Sequence, residues 1–210
     1  KSGSSFTPYN HYYSWNKIND NEKASSGISS LITLIKGAFA KDRLLSILRD
    51  FIYYPENKGM NTAIICSYPQ FFAANAFVND IKNHLKPKGD GKGGTYLGST
   101  GCGKTYTMLF LTKLLIQRYT SIFNNPTILI ITDREDLNNQ AEQVFTGAKK
   151  YLHDNDVRAF DSRDDLKKSL LNKPSGGVYI TTIQKFCEST GLLSERNNII
   201  CISDEAHRTQ

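Results

Sequence analysis

Residues 98–105 read GSTGCGKT, and this stretch decides the fold because it matches the phosphate-loop pattern GxxxxGK[ST]. A phosphate chain carries several negative charges, so many backbone N–H groups must converge on it. Glycines let the backbone curl tightly without Cβ clashes, and a helix that begins at Lys104 directs its N-terminal dipole at the anion. We therefore expect a nucleoside triphosphate to bind the loop formed by Gly98, Ser99, Thr100, Gly101, Cys102, Gly103, Lys104 and Thr105.

The last residues of the loop carry the chemistry. The Lys104 ammonium is long enough to reach the β- and γ-phosphates, and the Thr105 hydroxyl is suited to ligate Mg²⁺. Cys102 is expected to present its backbone and not to act as a nucleophile. Because it lies within the loop, modification of its thiol should block nucleotide binding. The alternative is a glycine-rich surface loop that happens to contain a lysine.

A second element lies at the end of the chain, where residues 199–208 read IICISDEAHR. An apolar strand here ends in adjacent carboxylates, and strand ends are where an open α/β sheet places its ligand chemistry. We expect Asp204 to hold the Mg²⁺ shell, Glu205 to orient or deprotonate the attacking water, and His207 to sense the γ-phosphate. Taken alone, the acidic pair fits an ordinary helix N-terminus equally well.

The region from Thr95 onward alternates short apolar strands with amphipathic helices. This pattern predicts an α/β fold with a mostly parallel sheet and helices on both faces. The predicted strands are Thr95–Leu97, Ile128–Thr132, Val157–Phe160, Val178–Ile183 and Ile199–Ser203. The predicted helices of this part are Lys104–Tyr119, Asp136–Ala148 and Arg163–Leu171. Upstream, helical spacing predicts two helices broken near Gly37, a short strand at Phe51–Tyr54 and a mostly helical Ile64–His84.

Composition excludes several classes of protein. The chain has 210 residues, 39% hydrophobic and 22% charged, which is ordinary for a globular protein and not for a disordered one. A net charge of +6 permits a polyanionic partner without demanding one. No apolar run approaches the roughly 18 residues of a membrane span, so we expect no membrane partner.

The cysteines and the first aromatic residues predict little chemistry. The four cysteines form neither a zinc pattern nor a disulfide framework, so we expect small buried thiols in a reducing cytosol. Tyr9, Tyr12, Tyr13 and Trp15 could stack on bases, but the segment lacks interleaved basic residues, so docking on a neighbouring domain is favoured.

Taken together, these motifs make a family resemblance visible. The phosphate loop with Asp-Glu-Ala-His resembles the first motor domain of superfamily 2 helicases and translocases. Residues 128–140 (ILIITDREDLNNQ), 178–186 (VYITTIQKF) and 204–210 (DEAHRTQ) resemble segments of the restriction (motor) subunit of type I restriction-modification enzymes. Gln70, in the stretch YPQFFAAN, resembles the glutamine that recognises adenine in that family, although Pro69 stands where the family more often has His.

The resemblance implies a RecA-like lobe that binds ATP and Mg²⁺ and drives translocation along double-stranded DNA, with cleavage by a nuclease domain. It also implies methyltransferase and specificity subunits as partners, and a cytoplasmic location in a bacterium or archaeon. We expect residues 1–60 to form a mainly helical lead-in from an upstream nuclease and residues 61–210 to form the first motor lobe of a longer protein. The arginines that complete catalysis would then come from a second lobe.

Four residues are candidate DNA contacts because the resemblance places them on the face that grips the phosphate backbone: Arg134, Thr181, Thr182 and Lys185. Backbone contact suits a translocase, since such a motor must ignore sequence. For Arg134 an intradomain salt bridge stays open, and for Lys185 a solvated helix end.

Other functions remain possible at this stage. The chain could belong to another superfamily 2 helicase or repair translocase, or to a scaffold that binds nucleotide without turnover, although intact Lys104, Thr105, Asp204 and Glu205 disfavour the scaffold. A nuclease motif at Glu56-Asn-Lys58 is disfavoured because Pro55 and the turn-like composition interrupt the strand that it would need.

Overall fold

The computed structural model describes residues 14–19, 27–55, 63–99, 101–133, 135–184 and 192–204, and for residues 135–138 it describes the backbone. The chain divides into two compact units. The first comprises Lys1–His84 with Gly91–Leu111, and the second comprises Leu85–Asp90 with Thr112–Gln210. None of the described helices is long and apolar enough to cross a membrane.

The first unit is mainly helical. Its elements are α1 (Ser29–Gly37), α2 (Lys41–Asp50), β1 (Ile52–Tyr53), β2 (Ile64–Ile65), α3 (Tyr68–Asn83) and the beginning of α4 (Lys104–Lys113). Strands β1 and β2 pair antiparallel, with Ile52 opposite Ile65. The predicted break near Gly37 is confirmed, whereas the predicted helix from Ile64 begins only at Tyr68, because Ser67 and Gln70 form a capping box there.

Aromatic packing holds this unit together. Phe51 is fully buried, with its ring centroid 4.8 Å from that of Phe71 and 5.4 Å from that of Phe110. Trp15 is 8% exposed and packs against Phe71 at 6.0 Å and Phe72 at 6.2 Å. Trp15 is thus buried by packing, as the docking interpretation expects, but its partners belong to the same unit and not to a neighbouring one. Tyr9, Tyr12 and Tyr13, like Glu56 and Lys58, lie outside the described residues.

The predicted strand Thr95–Leu97 is wrong. This segment takes no strand conformation, and Leu97 is 93% exposed. The run is only three residues long and lies between Gly94 and Gly98, so its β-propensity is too small to fix an extended strand by itself.

The second unit is an α/β layer structure. After the end of α4 and a π-helical turn (Leu114–Arg118), its elements are β3 (Thr127–Thr132), α5 (Glu135–Thr146), α6 (Lys149–Leu152), β4 (Val157–Ala159), α7 (Arg163–Asn172), β5 (Val178–Thr182) and β6 (Ile199–Ser203). The four strands form a parallel sheet in the order β4-β5-β3-β6. The predicted α/β fold with a parallel sheet is thus confirmed.

The central strands β3 and β5 are buried on both faces, which explains their continuous apolar runs, whereas β6 is half-buried to exposed. On one face, Leu129 and Tyr179 pack with Leu166 and Leu170 of α7. The alternate residues of the same strands, such as Ile128, point to the opposite face and are equally inaccessible to solvent. Ile130 lies opposite Ile180 on one side and Ile202 on the other, so the register aligns the carboxyl ends of three strands at one edge.

Candidate functional site

The phosphate-loop segment, residues 98–103, lies directly before α4 in the first unit. Gly101 and Gly103 have φ angles of +77° and +79°, a region that L side chains rarely adopt. A Cβ at Gly98 would lie 2.7 Å from the Cys102 sulfur and 2.9 Å from the Tyr96 ring. Glycine is therefore required at these three positions by backbone conformation or by close approach, as the motif predicts.

The first turn of α4 gives the loop its electrostatic character. The helix starts when the Thr107 N–H donates to the Gly103 carbonyl at 3.1 Å, and the Thr107 hydroxyl donates to the same oxygen at 3.3 Å. The N–H groups before that point have no intrahelical acceptor and concentrate positive potential at the loop. Lys104 and Thr105 are half-buried on this turn, and Ser99 is exposed. Thr100 lies outside the described residues.

Gln70 sits beside the loop and not in open solvent. Its side chain is on the first turn of α3 and the residue is only 2% exposed. The amide nitrogen donates to the carbonyl oxygens of Cys102 at 3.3 Å and Gly103 at 3.2 Å, while the amide oxygen accepts from the backbone N–H of Ser67 at 2.9 Å. The sequence motif indicates adenine recognition for Gln70 but does not reveal its contacts with the loop, because they join residues more than 30 positions apart.

The acidic element begins at the carboxyl edge of the sheet in the second unit. The Asp204 N–H donates to the Ile131 carbonyl at 2.8 Å, which extends the β3–β6 ladder by one residue, and Asp204 is half-buried. Glu205 and His207 lie outside the described residues. Since Lys104 and Asp204 belong to different units, their convergence on one triphosphate stays a prediction.

The chemistry of the donors fits Mg²⁺. The Thr105 hydroxyl and the Asp204 carboxylate offer oxygen atoms, which are the ligands that this hard cation prefers. The described residues contain no cluster of three or more His, Cys, Asp or Glu side chains that could hold a metal by itself. That Thr105 and Asp204 hold one magnesium ion stays a prediction, because the two residues belong to different units.

Two of the four candidate DNA-contact residues are described by the structure, and both are buried. Thr181 and Thr182 are 1% and 2% exposed, and the Thr181 hydroxyl donates to the Phe160 carbonyl at 3.3 Å inside the sheet. This hydrogen bond gives Thr181 a structural role that the sequence did not reveal. Arg134 and Lys185 lie outside the described residues, so DNA contact by these four residues stays a prediction.

The cysteines differ in their surroundings. Cys66 is buried, and burial raises the pKa of its thiol to about 12, which makes it unreactive. Cys102 is half-buried in the loop, and its interaction with Tyr96 adds to burial in raising the pKa of that phenol. Cys201 is exposed, so the expectation of a buried thiol was wrong there, because β6 is one of the two edge strands of the sheet that the described residues form. Cys187 lies outside the described residues.

Comparison with known proteins decides the family. The family model of the SWI2/SNF2 ATPase matches residues 69–210, which is more than half of the chain and includes Gln70, the phosphate loop and Asp204. The chain belongs to the SWI2/SNF2 ATPase family. This membership agrees with the parallel sheet of the second unit and with the glycine geometry of the loop.

Individual relatives are similar to the chain over most of its length. The chain is 34% identical over 217 aligned residues (99% of the chain, 20% of the relative) to the HindI endonuclease subunit, a type I restriction enzyme subunit of Haemophilus influenzae. It is also 34% identical over 86% of its length, and 17% of the relative, to the endonuclease subunit assigned to the type I restriction enzyme MjaIXP of Methanocaldococcus jannaschii. The resemblance to the endonuclease subunits of type I restriction enzymes is thereby confirmed. The chain spans about a fifth of the length of these relatives.

Proposed function

We propose that this chain is the ATP-binding part of a motor that moves double-stranded DNA for a type I restriction enzyme. The observation that carries the proposal is the loop before α4, where three glycines shape a cradle and Lys104 and Thr105 occupy the first helical turn. The similarity to restriction endonuclease subunits supplies the substrate class and the biological setting.

In this proposal each residue has one task. Lys104 neutralises the β- and γ-phosphates, while Thr105 and Asp204 hold the magnesium ion, which supplies Lewis-acid stabilisation of phosphate charge when bound. Glu205 orients the attacking water, and His207 responds to the γ-phosphate. Arg134, Thr181, Thr182 and Lys185 contact the DNA backbone in the assembled motor, which for the two threonines requires that β5 open at its end.

Nucleotide binding tests the first half of the proposal. We expect Lys104→Ala to weaken ATP·Mg²⁺ binding at least about tenfold, because a charge-assisted contact to phosphate is lost. Lys167→Ala is the matched control, since it removes the same charge from an exposed position of α7 and should leave the affinity unchanged. Binding is measured by titration with a fluorescent ATP analogue, and equal affinities for the wild type and Lys104→Ala would contradict the proposal.

DNA movement tests the second half. The full-length subunit, assembled with methyltransferase and specificity subunits, should displace a triplex-forming strand from duplex DNA in an ATP-dependent manner. Glu205→Gln in that subunit should trap ATP while removing hydrolysis and displacement. Displacement that persists without ATP turnover would contradict the motor role. We propose a cytoplasmic location in a bacterium or archaeon, because the DNA on which such a complex would act is inside the cell.

A further inference from the structure

The hydrogen bonds of Gln70 are made to the protein backbone. Its amide nitrogen has two N–H groups, and two carbonyl oxygens of the phosphate loop lie within hydrogen-bonding distance of it, those of Cys102 at 3.3 Å and Gly103 at 3.2 Å. Its amide oxygen accepts from Ser67. The residue is 2% exposed, and its amide nitrogen faces the two loop carbonyls.

Peptide geometry links these two carbonyls to the phosphate-binding groups. In a trans peptide, the carbonyl of one residue and the N–H of the next point in opposite directions within one plane. Gln70 contacts both carbonyls, and Thr107 also contacts that of Gly103. The N–H groups of Gly103 and Lys104 are thereby directed away from these donors. Those two N–H groups belong to the junction of loop and helix, where an anion is bound.

We infer that Gln70 is a positioning residue that orients the phosphate-binding backbone, and that its effect on nucleotide affinity is independent of the base. The inference rests on the proposed function insofar as the loop binds a triphosphate. The close packing agrees with it: a Cβ at Gly103 would lie only 2.6 Å from the Gln70 amide nitrogen, so the loop is fitted against this side chain.

The experiment compares three ligands that share the phosphate chain and differ in the base: ATP, GTP and inorganic tripolyphosphate, each with Mg²⁺. Gln70→Met keeps the length of the side chain and removes its hydrogen bonds. In the full-length subunit we expect it to weaken binding of all three ligands by a similar factor of about five to thirty, since two hydrogen bonds to the loop are lost. The ratio of ATP to GTP affinity should stay within about twofold of the wild-type ratio.

Ser67→Ala is the matched control, because it weakens the capping box of α3 and leaves the Gln70 contacts with the loop in place. It should change none of the three affinities by more than about twofold. If Gln70→Met does not fold, as judged by circular dichroism, Gln70→Asn replaces it, since an amide shorter by one methylene cannot reach both carbonyls and should show the same loss.

The outcomes are distinct. A uniform loss for all three ligands supports the inference. A loss confined to ATP, with GTP and tripolyphosphate unchanged, overturns it and returns Gln70 to reading adenine. A wild-type full-length subunit that binds none of the three ligands overturns the proposed nucleotide site itself, and the inference with it.

Discussion

The two edges of the parallel sheet are built differently. At the amino edge, the Arg196 guanidinium donates to the Thr127 hydroxyl at 2.6 Å, to the Lys173 carbonyl at 2.8 Å and to the Asn198 side-chain oxygen at 3.0 Å. At the carboxyl edge, the described contacts include two backbone hydrogen bonds, from Ile183 and Asp204 to the ends of β3. The amino edge is held by one charged side chain that joins three other residues, whereas described side-chain bonds at the carboxyl edge, such as those from Thr181 and Gln184, each reach a single backbone carbonyl.

This difference teaches how the unit divides its tasks. Parallel strands present their carboxyl ends to ligands, so polar side chains there serve chemistry and are costly to commit to structure. We expect no ligand at the amino edge, where buried polar groups form hydrogen bonds with one another. We therefore expect substitutions at the amino edge to lower stability and substitutions at the carboxyl edge to lower activity, with little overlap.

The largest expected effect is at the carboxyl edge. Asp204→Asn keeps the backbone N–H that bonds to Ile131 but removes the charge assigned to Mg²⁺. ATP hydrolysis by the full-length subunit should fall at least about a hundredfold, because metal-assisted charge stabilisation is lost. Urea unfolding of the chain should change by less than about 1 kcal/mol. A large loss of stability with normal hydrolysis would break the comparison between the edges.

At the amino edge, Arg196→Ala should lower the free energy of unfolding by about 2–4 kcal/mol, because several hydrogen bonds to a charged donor are lost and buried acceptors are left unpaired. Arg118→Ala is the control: it removes the same charge from an exposed position and should cost less than about 0.5 kcal/mol. Chemical denaturation followed by circular dichroism compares the two variants. ATP affinity of the folded Arg196→Ala chain should match the wild type.

A smaller, pH-dependent effect is expected at Asp156. Burial alone would raise the pKa of this carboxyl, but hydrogen bonds from Lys173 at 2.7 Å, from Tyr179 at 3.0 Å and from Arg158 outweigh it and lower the pKa below its ordinary 3.8. The carboxylate therefore stabilises the fold above about pH 4, and this contribution is lost as the pH falls through the lowered pKa.

Asp156→Asn should accordingly cost about 1–2 kcal/mol at pH 7, where the wild type has the charged network, and progressively less below pH 4. Denaturation curves at several pH values measure the difference. A penalty that stays constant down to pH 2 would show that packing and not charge is responsible. Burial and Asp156 raise the pKa of Tyr179 to about 12, so this phenol stays protonated throughout that range.

The smallest effect is expected at Gln184, whose side-chain amide donates to the Asp133 carbonyl at 2.6 Å on the exposed carboxyl edge. Gln184→Ala should cost less than about 1 kcal/mol of stability, since water can replace an exposed hydrogen bond. The same denaturation assay applies. A cost equal to that of Arg196→Ala would show that the two edges are equally locked.

Local patterns made most of the fold predictable. Continuous apolar runs marked β3, β5 and β6, and glycine spacing marked the phosphate loop, because these features depend on residues close together in the chain. The burial of Thr181 and the network around Arg196 were not predictable, since each depends on partners from distant segments. The predicted strand at Thr95–Leu97 failed for the same reason: a strand exists only with a partner, and three residues do not specify one.

The contacts of Gln70 with Ser67 and with the loop restrict which residues position 70 can accept. Glutamate would keep the acceptor for Ser67 but lose the donors to the loop, lysine would do the reverse, and asparagine is shorter by one methylene. One side chain here caps a helix and braces a loop at the same time. Position 70 is thus nearly without a substitute as long as both of its neighbours keep their present backbones.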